Sequence, residues 1–386
     1  MIEPSVAELR RRVGVKWTRF DDDVVPAWVA DMDFPPAAVI VEEVQAFLAG
    51  GDWGYMNRDY YQRLIEAGRS WYQDHHGWAP SAPNSRVVLD VMQGVAAAIQ
   101  AFTLPGEGVI ITTPVYHPFG WAIESSNRLI VEAPLTSRQD GFRITKAALE
   151  EAVDRGGRLL LLCNPHNPTG RVFSAQELAI VAEVAAAADL VVVSDEIHAD
   201  LVYEPYRHIP VAALGPTISE RTVLITSPSK AFNLAGVGCA MTCFGTAELA
   251  EKFDALPTSL LGHPTATGLR ASSAAWESGG PWLGELRTLL AKNRETVTAW
   301  VQDDRRVGFR PPEATYLAWL DFRTHNWSVE PHERLLAKAR VALSEGTQFG
   351  TGGAGHARLN FGTYPSVLEN ILGRVADALA PTKLVL

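Results

Sequence analysis

The residues best placed to do chemistry gather around Lys230, in the run Ser227-Pro228-Ser229-Lys230-Ala231-Phe232-Asn233-Leu234-Ala235-Gly236. Ahead of it, Thr222-Val223-Leu224-Ile225-Thr226 is apolar and β-branched, which predicts a buried strand, so Lys230 is presented in a loop at a strand end. An amine there can serve as nucleophile or base, although a lone Ser-x-Ser-Lys more often marks a solvated surface charge. Three upstream runs tip the balance. Cys163-Asn164-Pro165-His166-Asn167-Pro168-Thr169-Gly170 closes the apolar run 159–162, Ser194-Asp195-Glu196-Ile197-His198 closes 191–193, and Val115-Tyr116-His117-Pro118-Phe119 follows 109–112. Each places polar groups at the end of an expected strand, where open α/β sheets collect their ligand-binding residues.

Strands predicted at Val87–Asp90, Val109–Thr112, Leu129–Ala133, Leu159–Leu162, Leu190–Val193 and Val223–Thr226 alternate with helical stretches. That alternation gives an α/β fold with a mostly parallel central sheet and helices on both faces. Helices are expected over Glu3–Arg12, Pro35–Ala49, Arg58–His75, Pro281–Gln302, Pro331–Ala339 and Ser366–Ala378, with further strands at Tyr316–Phe322, Val341–Leu343 and Ala357–Phe361. The expected organisation is an N-terminal segment, 1–48, joining a small α+β domain at 286–386, beside a large domain at 49–285. With 386 residues and 47% apolar content the chain can bury a substantial core. A net charge of −10 disfavours nucleic acid as a partner. The three cysteines lack paired metal spacing, so no metal site is expected. No apolar leader or membrane-length run stands out, and a cytoplasmic protein is expected. Gly350-Thr351-Gly352-Gly353-Ala354-Gly355 precedes a strand instead of opening a helix, and reads as a loop.

In combination and order, these motifs resemble those of the fold-type I pyridoxal 5′-phosphate (PLP) enzymes, the aspartate aminotransferase-like superfamily. Trp28-Val29-Ala30-Asp31-Met32-Asp33-Phe34-Pro35, the Asn-Pro-His-Asn-Pro-Thr-Gly run and Ser-Asp-Glu-Ile-His are similar to the cystathionine β-lyase, or C–S lyase, branch. The resemblance spans 28–361. It implies PLP as cofactor, with Lys230 forming the Schiff base and later acting as the base that takes the Cα proton. It further implies Asp195 at the pyridine nitrogen, Asn167 at the phenolic oxygen and Tyr116 stacked on the ring. The phosphate is expected where Gln93-Gly94-Val95-Ala96 begins a helix, so Gly94 and Val95 are cofactor-binding candidates, with Ser227 and Ser229 adding hydroxyl donors. Arg358 is the expected grip on the substrate carboxylate. The backbone of Ala30 and Asp31 is expected to approach the substrate, with Trp28 and Asp33 lining its side-chain pocket. Tyr55 resembles a tyrosine that reaches the cofactor phosphate of a neighbouring subunit, implying a homodimer with the active site at the interface.

Two positions depart from that pattern. His198 stands where the superfamily often has a tyrosine, and it reads equally as a residue beside the cofactor or as a buried histidine. Gly238 stands eight residues after the lysine, where aminotransferases commonly carry a phosphate-binding arginine. Asp195 also has a plainer reading as a helix cap, and Arg358 as a surface ion pair. The motifs fix only the chemistry up to the Cα carbanion. The branch favours β-elimination from cystathionine or another L-cysteine S-conjugate, giving thiol, pyruvate and ammonia. The alternatives are an aminotransferase and a natural-product lyase for a bulky conjugate. Some members of the branch also contact transcriptional regulators, so a regulator partner stays open. No second arginine for an acidic substrate tail is identifiable, which points to a partly aromatic pocket.

Overall fold

The computed structural model describes residues 3–51, 53–303 and 305–380. Seven strands form the central sheet: β1 (Ser85–Val88), β2 (Gly108–Ile111), β3 (Leu129–Glu132), β4 (Gly157–Cys163), β5 (Val191–Asp195), β6 (Thr222–Thr226) and β7 (Ala240–Phe244). Their spatial order is β1-β7-β6-β5-β4-β2-β3, and only β7 runs against the rest. β7 is the central strand that hydrophobic periodicity missed: Ala-Met-Thr-Cys-Phe contains no β-branched aliphatic residue, yet all of its residues are buried between strands on both edges. β1 also sits earlier than the expected Val87–Asp90, since Asp90 caps the helix that follows.

Alternation along the strands divides the core. Val109, Ile111, Leu159, Leu161, Val193, Val223 and Ile225 face a cluster that includes Val95, Ala98 and Ile99, whereas Ile110, Leu160, Leu162 and Val192 face Leu178, Val181 and Ala185. Helices therefore cover both faces, as the continuous apolar runs require. Among them, α1 spans Ala38–Gly50, α2 Arg58–His76, α3 Val91–Phe102, α4 Gly280–Asp303 and α5 Pro365–Leu379. The helix expected over Glu3–Arg12 is one turn, Val6–Leu9, closed by a Ser5–Glu8 capping box. α3 lies tight on the sheet at Gly94, where a Cβ would come within 3.2 Å of Thr242 Oγ1 and Val88 Cγ2. α4 presents Leu283, Leu286, Leu290, Val297 and Val301 in a buried stripe and leads towards a three-stranded sheet. That sheet, ordered β9-β10-β8, comprises β8 (Leu317–Asp321), β9 (Ser344–Glu345) and β10 (His356–Asn360), all antiparallel.

The N-terminal segment crosses between the two sheets and is fixed by side chains. Val25 and Pro26 pair in parallel with Val341 and Ala342. Asn360 Nδ2 donates to the carbonyls of Val29 and Asp31, each at 2.6 Å, and Asn233 Nδ2 donates to those of Met32 and Phe34. Beneath them a buried ion pair joins Lys16 Nζ to Asp33 Oδ2 at 2.7 Å, and Trp17 Nε1 donates to the other oxygen. Asp33 is thus spent inside the fold and does not line a substrate pocket, contrary to the sequence expectation. Among the described residues no helix is long and apolar enough to cross a membrane, and the three cysteines are buried and free.

Removing one member of a buried pair strands the other charge. Lys16→Met is therefore expected to lower unfolding free energy by about 3 kcal/mol or more, read by denaturant titration. Little change would show that the pair does not anchor this segment.

Candidate active site

The ends of β2, β4, β5 and β6 open into one cleft of about 250 Å³, lined by Ala30, Asp90, Val91, Met92, Tyr116, Cys163, Asn167, Asp195, Ile197, His198, Ser229, Lys230 and Ala235. A larger surface groove, about 980 Å³, runs beside α2 and β1, but its Arg63 and Arg86 are already paired with Glu43, Glu277 and Asp254. The smaller cleft gathers Tyr116, Asn167, Asp195, His198, Ser229 and Lys230 from the sequence-identified residues.

Lys230 hangs from the tight turn after β6, where Phe232 N donates to Pro228 O and Leu234 N to Ser229 O. Its Nζ donates to the Ala30 carbonyl at 2.9 Å. Burial is the largest influence on this amine and depresses its pKa; Arg358 pushes the same way, while Asp31 and Asp195 oppose. Asp195 is buried, with Oδ1 accepting from Ile197 N at 3.0 Å. No helix starts there, which removes the capping interpretation. Burial, with Glu196 adding to it, drives the Asp195 carboxyl up to about 7. Such an acid ionises readily once a cation lies against it.

Arg358, on β10, is 3% exposed, so it is no surface ion pair. Its Nη1 donates to Asn167 Oδ1, and its Nη2 to Trp28 O and Ser344 Oγ, all at 3.0 Å. Among the described residues no carboxylate pairs with it, and its Nε has no partner. Burial lowers its pKa to about 10, still leaving it cationic at neutral pH. A buried guanidinium with an idle donor and only neutral partners is a ready anion site.

His198 is buried, and burial first, then Lys230 and Arg358, lower its pKa to about 3. It is a neutral ring in the cleft wall, which resolves its two readings towards a cleft residue carrying no charge. Tyr116 lines the cleft edge-on to Phe119, and burial raises its phenol. Asp31 is half-buried; burial raises its pKa, while its carbonyl accepts from Lys16 and Asn360.

Three expected assignments change. Gly94 and Val95 are inside α3 and buried, because the helix starts at Val91: Asp90 caps it, accepting from Gln93 N through Oδ1 and from Gly94 N through its carbonyl. With Gln93 N and Gly94 N taken by Asp90, the first-turn amides left for a ligand are those of Val91 and Met92, and both residues line the cleft. Ser227 is also committed elsewhere, donating to Cys239 O at 2.7 Å and accepting from Ser229 N; it shapes the lysine turn, and only Ser229 reaches the cleft. The Trp28 ring packs against Phe20 and Arg19, leaving its carbonyl, not its ring, near the site. Tyr55, expected to serve a neighbouring subunit, is fully exposed and does not line the cleft of its own chain.

Residues 29–375 match the family described as aminotransferase class I and II. The chain belongs to that family. The Bacillus subtilis protein named cystathionine beta-lyase PatB is 36% identical over 375 residues, covering 95% of this chain and 96% of the relative. Among solved structures of the family fold, cystalysin from Treponema denticola, which contains a pyridoxal 5′-phosphate cofactor, has TM-score 0.92 at 30% identity over 98% of this chain and 99% of that one. The PLP-bound C–S lyase from Staphylococcus hominis has TM-score 0.91 at 26% identity, covering 97% and 98%.

Sequence reasoning missed Tyr316, Asn233 and Asn360, which hold segment 28–34 in place, and Asp90, whose position before Val91-Met92-Gln93 is a recognisable N-cap signal.

An acid whose folded pKa is raised holds its proton in the native state while the unfolded chain has lost it, so stability falls as pH rises between the two values. For Asp195 that window runs from about pH 4 to about 7. Cofactor-free Asp195→Asn protein is therefore expected to gain stability relative to wild type across this range, measured by denaturation at stepped pH. A constant difference would contradict the assignment.

Proposed function

We propose that the chain is a PLP-dependent carbon–sulfur β-lyase that cleaves cystathionine or a related L-cysteine S-conjugate to thiol, pyruvate and ammonia. The observation that carries this reading is a cleft lysine amine with depressed pKa beside a buried arginine that has no carboxylate partner and is bonded to Asn167 of the cleft wall. An amino-acid substrate brings the missing carboxylate. The named lyase relatives, matched over nearly their full length, favour elimination over transamination.

The residues present fit the cofactor. The amides of Val91 and Met92 and the Ser229 hydroxyl would hold its phosphate, Asp195 its ring nitrogen, Asn167 its phenolic oxygen and Tyr116 its ring face. When bound, PLP supplies an aldehyde that condenses with primary amines and a ring that withdraws electron density from the substrate Cα. Asp195, facing a protonated nitrogen, would ionise and hold that proton in place. Arg358 binds the substrate α-carboxylate and orients Cα, and Lys230 Nζ, whose pKa burial depresses, takes the Cα proton. Loss of that proton lets the Cβ–S bond break with its electron pair leaving on sulfur, and the three-carbon remainder hydrolyses to pyruvate and ammonia. His198 contributes an uncharged wall.

The exposed Tyr55 supports a second copy of the chain as partner, lending that residue to the neighbouring cleft. The division at 48 and 285 belongs to the same reading, supported by a seven-stranded sheet within 85–244 and a three-stranded sheet within 317–360. A cytoplasmic setting is consistent with three unpaired thiols.

PLP-loaded protein mixed with L-cystathionine is expected to release pyruvate and thiol in equal amounts. Accumulation of a keto acid with conversion of the cofactor to its amine form would establish transamination instead. Lys230→Ala is expected to reduce turnover by at least about 10³-fold. Arg358→Lys, which loses the two-pronged geometry, is expected to lower kcat/KM by roughly 100-fold. Steady-state assays of both variants check these values.

A further inference from the structure

Two side chains donate to the same backbone oxygen in the cleft. Lys230 Nζ lies 2.9 Å from the Ala30 carbonyl and Tyr316 Oη lies 3.0 Å from it. The carbonyl cannot swing to favour one donor, because Asn360 Nδ2 holds the carbonyls on either side of it, those of Val29 and Asp31, at 2.6 Å. Tyr316 is fixed as well: it is 1% exposed, its own carbonyl accepts from Phe361 N, and its ring stands edge-on to His198. Burial raises the phenol far above its ordinary range, so it stays a donor at any working pH.

An ammonium is stabilised by each acceptor that faces it, and an acceptor already bonded to a second donor gives less. We propose that Tyr316 is a positioning residue that, by occupying one lone pair of the Ala30 carbonyl, weakens that oxygen's hold on the Lys230 ammonium and keeps the amine free to form bonds. The proposal rests on Lys230 being the reacting amine. The charged and titratable groups around Lys230 act from other elements: Asp31 on the N-terminal segment and Asp195 at the end of β5 favour its charged form, Arg358 on β10 disfavours it, and neutral His198 stands beside Tyr316. Tyr316 is the uncharged group among them that acts on the oxygen to which the amine is bonded.

Covalent uptake of PLP by cofactor-free protein joins Nζ to the aldehyde carbon with loss of water, and only the neutral amine reacts. The pH midpoint of the uptake rate therefore reads the protonation of Lys230 without any turnover. In Tyr316→Phe the ring is kept and the competing donor is lost, so the midpoint should move up and the rate near pH 7 should fall about three- to tenfold, with full uptake at higher pH. Placing 3-fluorotyrosine at 316, a more acidic and stronger donor, should move the midpoint down. An unchanged midpoint in Tyr316→Phe overturns the proposal while leaving the lysine assignment intact. If that variant does not fold, an unshifted or raised midpoint in the fluorinated protein overturns it equally. Failure of wild-type protein to take PLP onto Lys230, mapped by borohydride reduction and peptide analysis, would overturn both the inference and the functional reading beneath it.

Discussion

Holding Lys230, Arg358, Asp195 and Asp31 together, largely out of water, is the constraint to which the surrounding structure answers. Charges in such a place are costly unless something polar faces them, and carboxylates close enough to form tight pairs would quench the chemistry. The protein solves this with dipoles. Trp28 O accepts from Arg358, Ala30 O from Lys230, and Asp31 O from Lys16, so peptide carbonyls of one short segment meet three cations. A carbonyl satisfies a donor without cancelling its charge, which leaves Arg358 able to bind an anion and Lys230 able to shed a proton.

For the carbonyls to serve, the segment carrying them must be rigid, and its rigidity comes from amide side chains. Asn360 and Asn233 each bridge two carbonyls of the segment, and the Lys16–Asp33 pair pins its underside. The strands do the same for the opposite wall: parallel β2, β4, β5 and β6 terminate side by side, so Tyr116, Asn167, Asp195 and Lys230 emerge near one another although they are far apart in sequence.

Much of this is legible in the sequence, for reasons specific to each part. Parallel strands buried on both faces are continuous apolar runs, and the polar residues ending them stand out by contrast. Lys230, Asp195, Asn167, Tyr116 and Arg358 are found that way or through the motif resemblance. β7 is not, because its identity as a central strand depends on the neighbours that enclose it. Gly94 reads as a ligand-binding glycine when it serves helix–sheet contact; a glycine's local pattern does not distinguish close approach to a ligand from close approach to a sheet. Ser227 and Asp33 suggest themselves by residue type, and their commitment to Cys239 O and Lys16 depends on tertiary contacts that no local window contains. Tyr316 and Asn360 escape notice for the same reason.

The pairing of Val25 with Val341, and of Asn360 with the carbonyls of Val29 and Asp31, also sets an order in time. As the chain leaves the ribosome from its N-terminus, the segment bearing Ala30 appears well before Val341 and Asn360, two of its anchors. The central sheet can close once residue 244 is available, so Lys230 has its strand long before Arg358 and the Ala30 carbonyl are in position. The cleft lysine is therefore built before the buried guanidinium beside it, and a chain ended between residues 244 and 358 would carry Lys230 without Arg358.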